Sequence, residues 1–121
     1  MAVGGEEGIA SEILNSGPVV CGVSATSEFK AYSKGVFLDK TGTYNHNHYV
    51  LVYGWGVEAG VKYWLIQNSY GPTWGEDGSL RLIRGKNNLG IEALCYAASP
   101  VDTWTRDIRN GTLPNQMSKL T

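Results

Sequence analysis

Two histidines, His46 and His48, and a carboxamide, Asn68, are the residues whose types and spacing point to chemistry in this chain. An imidazole works as general base and acid near neutral pH when a neighbour fixes its tautomer and ring plane. A carboxamide oxygen accepts the imidazole N–H without adding charge. That suits a thiol nucleophile, whose working state is a thiolate–imidazolium pair. Residues 48–55 and 61–68 read as two strands, and Gly56-Val57-Glu58-Ala59-Gly60 between them reads as a hairpin loop. With Gly56 and Gly60 flanking a three-residue loop, Val50 faces Ile66, Val52 faces Trp64, and His48 faces Asn68. Directly paired residues hold their Cβ atoms about 4.5–5.5 Å apart. A slip of one residue would send the imidazole and the carboxamide to opposite faces.

Other chemical candidates are weaker. His46 and His48 share a strand face, but two ligands are too few for a metal and no nearby Cys, Asp or Glu completes a site. No metal or other cofactor is therefore expected. Glu76 and Asp77 lie in a turn, where solvated or capping roles are expected rather than a paired-carboxylate mechanism. Cys21 sits in an apolar run with no adjacent base, which favours burial over nucleophilic work. Cys21 and Cys95 form either one disulfide or two free thiols, and closing the loop between them would stabilise the fold by about 4 kcal/mol in an oxidising compartment. Trp64, Tyr70 and Trp74 read as core. Asn110-Gly111-Thr112 is a single glycosylation sequon, a weak signal that matters only in a secreted chain.

The elements that must position these groups are short. Residues 6–15 read as an amphipathic helix, with Glu6 and Glu7 at its anion-favouring end and Ser16-Gly17-Pro18 as its stop. Residues 18–24 read as a buried strand, 26–34 as one helical turn with Phe29 and Tyr32 inward, and 35–38 as an extended run. Along 48–55, His48, Val50 and Val52 share one face, and Tyr49, Leu51, Tyr53 and Trp55 the other. Residues 79–84 alternate as a strand with Leu80 and Leu82 together, and 91–98 form a last helical turn or strand. The 121 residues carry 16 Gly, seven Tyr, four Trp and two Phe, which points to one β-rich domain with many tight turns. A formal charge of −1 without a basic cluster argues against nucleic-acid binding. No apolar run approaches the roughly 20 residues of a membrane span. MAVGGEEG lacks the basic start and apolar run of a signal peptide.

Asn47-His48-Tyr49-Val50, then Gly54-Trp55-Gly56, then YWLIQNSYGPTWGEDG resemble the second half of a papain-like cysteine peptidase. The likeness runs from about Glu7 to Val101, and GPVVCGVSAT and NLGIEALCYAASPV most resemble the cathepsin X (cathepsin Z) branch of that family. The resemblance implies an α+β fold: a mostly antiparallel, β-barrel-like lobe with an N-terminal helix over residues 1–101, then a C-terminal tail over 102–121. It places the catalytic imidazole on His48 and the orienting carboxamide on Asn68. Trp74 matches one of two tryptophans that shield this pair, and Tyr70 stands where the other would be. Tyr49 would line a substrate pocket, and Cys21 and Cys95 match a disulfide pair.

The family's nucleophilic Cys, in a C-G-S-C-W-like segment opening a helical lobe, has no counterpart in this chain, and neither does the Gln that helps bind the oxyanion. The loop behind carboxypeptidase-type action would belong to that lobe too. The resemblance therefore implies the His/Asn-bearing half of a peptidase. Its partners would be a peptide substrate and the helical lobe, from the same precursor or a separate chain. A non-catalytic interaction module or a truncated fragment is the alternative. A lysosomal, vacuolar or secreted location follows from the family.

Overall fold

The computed structural model describes residues 2–97; the expected tail over 102–121 and Asn110 lie outside the described residues. The elements in chain order are β1 (Ala2–Val3), α1 (Glu6–Ser16), β2 (Val19–Val23), α2 (Ser27–Lys30), β3 (Val36–Phe37), β4 (His48–Glu58), β5 (Val61–Gln67), β6 (Ser79–Ile83), a 3-10 turn (Asn88–Gly90) and β7 (Cys95–Ala97). Helix α1 starts with Glu6 and Glu7 in its first turn and buries Ile9. It stops where Gly17 returns its N–H to the Ile13 carbonyl at 3.0 Å. The Thr26 hydroxyl caps α2 by accepting the Phe29 N–H at 3.0 Å.

The strands form one seven-stranded sheet in the order β1-β7-β2-β4-β5-β6-β3. Every pairing is antiparallel except β3 with β6. The sheet keeps two edges, β1 and β3, so it is not closed; the barrel-like form expected from the family is an open sheet among the described residues. Ile9, Phe29, Val52, Trp64, Ile66 and Leu82 form the centre of the core on one sheet face and are fully buried. Burying side chains of this size stabilises a fold by about 1.5–3 kcal/mol each.

The β4–β5 register differs from the sequence expectation. The strands run on to Glu58 and Val61, so the turn is the two residues Ala59 and Gly60, both at positive φ. Trp55 then pairs with Trp64 and Gly54 with Leu65, while Val52 pairs with Ile66 and Leu51 with Gln67. Tyr53 is the extra residue at a β-bulge between the two registers. The bulge also moves Trp55 to the core side, against the expectation that it shares a face with Tyr49. Val50 therefore does not face Ile66, Val52 does not face Trp64, and His48 is not directly opposite Asn68. The bulge restores the face parity that the shorter turn would have broken, and a remaining offset of two residues leaves His48 and Asn68 on the same face.

Two further elements depart from expectation. Ala2–Val3 pairs with Tyr96 and Cys95, a strand with no local signal of its own. The stretch expected as a helical turn or strand divides: a 3-10 turn ends at Gly90 before it, and among its described residues, 91–97, Cys95–Ala97 is strand.

Candidate active site

Strand β2 hydrogen-bonds along β4 so that Val23 lies beside His48 and Gly22 beside Tyr49. The chain entering β4 is tied down residue by residue. The Ser24 hydroxyl accepts the backbone N–H of Asn45 at 2.6 Å and of His46 at 3.3 Å, and the Asn47 Oδ1 accepts the Ala25 N–H at 2.7 Å. His46 is held at φ 44 with its Nε2–H donated to the Gly90 carbonyl at 2.8 Å. Its ring fills the space that side chains at Gly22 and Gly90 would need. His46 is thus a wedge between backbone segments, and its imidazole does not join that of His48.

Asn68 follows the last residue of β5 and is buried. Its Oδ1 accepts the Ser69 backbone N–H at 2.8 Å. A backbone amide only donates, so the oxygen and not the nitrogen of the side chain must face it. The same Oδ1 lies 2.8 Å from His48 Nε2, which must therefore carry the ring proton. In the neutral ring His48 Nδ1 is then the acceptor nitrogen, and it has no hydrogen-bond partner among the described residues. The price of this arrangement is a buried Asn68 Nδ2 without a partner among the described residues, a desolvation cost of about 1–3 kcal/mol.

Aromatic rings enclose the pair. Tyr70 stacks on His48 with ring centroids 5.1 Å apart and planes 25° from parallel. Phe29 meets the His48 ring edge-on at 5.9 Å. Trp74 stands perpendicular to Tyr70 at 5.4 Å and donates its indole N–H to the Lys30 carbonyl at 2.9 Å, which ties the turn after β5 to α2. Burial pushes the Tyr70 phenol above its ordinary value. Trp64 is core, as expected.

Glu76 is not a free turn residue as its position suggests. It takes Arg81 in a two-point pair at 2.8 and 2.9 Å and accepts the Gly35 N–H at 3.0 Å. Arg81 and that N–H hold its carboxyl below the usual range. It anchors the Trp74 turn to β6 and the start of β3. Asp77 beside it adopts positive φ in the same turn.

Tyr49 points away from His48, on the outer sheet face, and is more than half exposed. Leu51 and Gln67 pair across the strands on that outer face, with the exposed Tyr53 nearby. The alternation of the sequence shows which side these residues occupy, but gives no hint of the hydrogen bonds that Gln67 makes there. Cys21 and Cys95 are register partners on β2 and β7 and are joined as a disulfide. Both are fully buried, so neither is a thiol nucleophile. Among the described residues no three His, Cys, Asp or Glu side chains are grouped to hold a metal ion, and no helix is long and apolar enough to cross a membrane.

Residues 1–99 match the papain family cysteine protease model. The chain is 38% identical over 109 residues to cathepsin Z of Onchocerca volvulus, covering 83% of this chain and 35% of that protein. It is 42% identical over 89 residues to cathepsin B-like cysteine proteinase 3 of Ostertagia ostertagi, covering 74% of this chain and 51% of that one. Among solved structures, digestive procathepsin L 3 from the Tenebrio molitor larval midgut superposes with a TM-score of 0.72 at 40% identity, over 77% of this chain and 31% of that one. The bromelain protease of Ananas comosus, in complex with the E64 inhibitor, does so with a TM-score of 0.69 at 30% identity, over 78% and 47%. The chain thus spans between about a third and a half of these relatives. With its sequence match over residues 1–99 and its fold in agreement, this chain belongs to the papain family of cysteine proteases.

Proposed function

We propose that this chain is the His/Asn-bearing half of a papain-like cysteine peptidase, acting on peptide bonds with a thiol supplied by a helical lobe. One observation carries the reading: Asn68 Oδ1 holds His48 by its Nε2–H, so that Nδ1 is the acceptor nitrogen of the neutral ring and is without a hydrogen-bond partner among the described residues. In that state Nδ1 takes the proton of an incoming cysteine thiol, and the resulting imidazolium stands beside the thiolate. After the thiolate attacks the substrate carbonyl, the same proton passes to the leaving amine. Asn68 keeps the ring in plane throughout, and Tyr70 and Trp74 exclude water from the bond that does so. Tyr49 lies one residue beyond His48 on the outer face and would line the pocket for a substrate side chain.

The partner is the helical lobe, from the same precursor or as a separate chain, and it would have to meet this chain at the start of β4, where His48 Nδ1 awaits the thiol. Residues 1–101 form the lobe in this reading, with 102–121 a tail. Carboxypeptidase-type action would be determined by the helical lobe. The buried Cys21–Cys95 bridge supports a lysosomal, vacuolar or secreted setting, because such bonds persist in oxidising compartments.

Reconstitution tests the reading. This chain, mixed with a helical lobe bearing the nucleophile, should hydrolyse a peptide substrate, and His48→Ala in this chain should lower kcat at least about a hundredfold. A complex that forms but does not hydrolyse peptides, or one indifferent to His48→Ala, would favour a non-catalytic interaction module instead.

A further inference from the structure

We propose that Gln67 is a positioning residue that holds the Asn68–Ser69 peptide plane, and through it the carboxamide that orients His48. Its consequence for catalysis rests on the proposed peptidase reading; its geometry does not. Gln67 is the last residue of β5, paired with Leu51 on one side and Ser79 on the other. Beyond it the ladder ends, and the Asn68 N–H is donated to the carbonyl of Gly78, the residue before β6, at 3.1 Å. The Gln67 Nε2 donates to the Asn68 carbonyl at 3.0 Å and reaches the Gly78 carbonyl at 3.5 Å. Its Oε1 accepts the Ser79 hydroxyl at 3.2 Å, and that hydroxyl in turn faces the Tyr53 phenol at 3.5 Å. The amide orientation of Gln67 is fixed, because two carbonyls demand its nitrogen.

A peptide group is planar, so the Asn68 carbonyl and the Ser69 N–H move as one unit. Gln67 grips that plane by its oxygen. At the other end the Ser69 N–H is donated to Asn68 Oδ1, the atom that receives the His48 proton. A side chain on the outer, exposed face thereby acts on the buried pair across the strand. The Asn68 side chain is held through Oδ1 alone, its Nδ2 having no partner among the described residues, so the Ser69 N–H is one of the two bonds that fix it.

Gln67→Glu is the sharp perturbation. At neutral pH it sets carboxylate oxygens against two carbonyl oxygens with no proton to share. Gln67→Met removes the donors without adding charge. Hydrogen exchange on the full chain, followed by NMR, reads the His48 Nε2–H and the Ser69 N–H directly. Both should exchange roughly three- to tenfold faster in either variant, the loss of one hydrogen bond at an exposed site. The Trp64 indole N–H, donated to Glu92 at 3.0 Å in the core, is the control and should not change. As the pH falls and the introduced Glu becomes protonated, it regains a donor. The Ser69 N–H of the Glu variant should then recover protection, while the Met variant should not. Unchanged exchange at both His48 and Ser69 would overturn the proposal, and so would equal acceleration of all three protons, which would make Gln67 a general prop. Peptide hydrolysis is not part of the readout, so a failed peptidase reading would not mimic either result.

Discussion

Removing the ring that covers His48 tests how the site is kept dry. Tyr70 meets three rings, with centroids 5.1 Å from His48, 6.2 Å from Phe29 and 5.4 Å from Trp74. Aromatic contacts of this kind contribute about 0.5–1.5 kcal/mol each beyond burial. They share one ring and so do not add fully. Tyr70 is 38% exposed, which reduces the burial gain. Tyr70→Ala should therefore destabilise the chain by about 2–3 kcal/mol. For a domain of this size that lowers Tm by roughly 10–20 °C. Tyr70→Trp keeps all three contacts and should stay within about 1 kcal/mol of the parent. Thermal unfolding followed by circular dichroism measures both. The His48 Nε2–H should exchange faster in the Ala variant and not in the Trp variant. The phenol adds a pH signature. Burial raises it above its ordinary value of 10.0, so its share of stability is complete below that pH and is lost as the pH climbs through the folded value; Tyr70→Trp removes this alkaline limb. A Tyr70→Ala chain within about 0.5 kcal/mol of the parent, with His48 equally protected, would refute the shielding role.

Three further outcomes are expected. Gly90→Ala puts a Cβ 2.5 Å from His46 Nε2 at φ +73 and should cost about 2–3 kcal/mol by urea denaturation, with about 1 kcal/mol recovered in a His46→Ala background. Glu76 is held below its ordinary 4.5 by Arg81, so its contribution is present above that pH and lost as the pH falls through the lower folded value. Glu76→Gln should lower stability at pH 7 by about 1 kcal/mol, a figure discounted for solvent screening, and the gap should close on acid titration. Reducing the Cys21–Cys95 bridge, which encloses most of the described chain, should cost about 4 kcal/mol, read as a fall in the urea midpoint.

The site was legible wherever one strong local pattern decided the structure. The Gly17-Pro18 stop and the spacing of Ile9 and Ile13 define α1 almost to the residue, and the alternation of Trp64, Ile66 and Asn68 places them together on the core side. Register was not legible in the same way. The turn is shorter than the two flanking glycines suggest, and a bulge at Tyr53 offsets it; neither leaves a mark on apolar alternation. His48 and Asn68 meet because the deviations preserve the face, although the direct pairing expected of them does not occur. Strand β1 was invisible because two residues have no periodicity and need β7 to define them. Glu76 looked like a solvated turn residue because Arg81 and Gly35 reach it only in the folded chain. Nothing in the sequence marks the exposed Gln67, since side-chain bonds to a neighbour's carbonyl carry no sequence signature.

The most direct test of the central claim is to treat the protein from its natural source with a thiol-directed electrophile for cysteine peptidases and locate the label by mass. The label is expected on a cysteine other than Cys21 or Cys95, in a polypeptide joined to or co-purifying with this chain, with labelling lost on His48→Ala in the reconstituted pair. A native preparation that takes no label, or takes it on Cys21 or Cys95, would contradict the assignment of His48 and Asn68 to thiol peptidase chemistry.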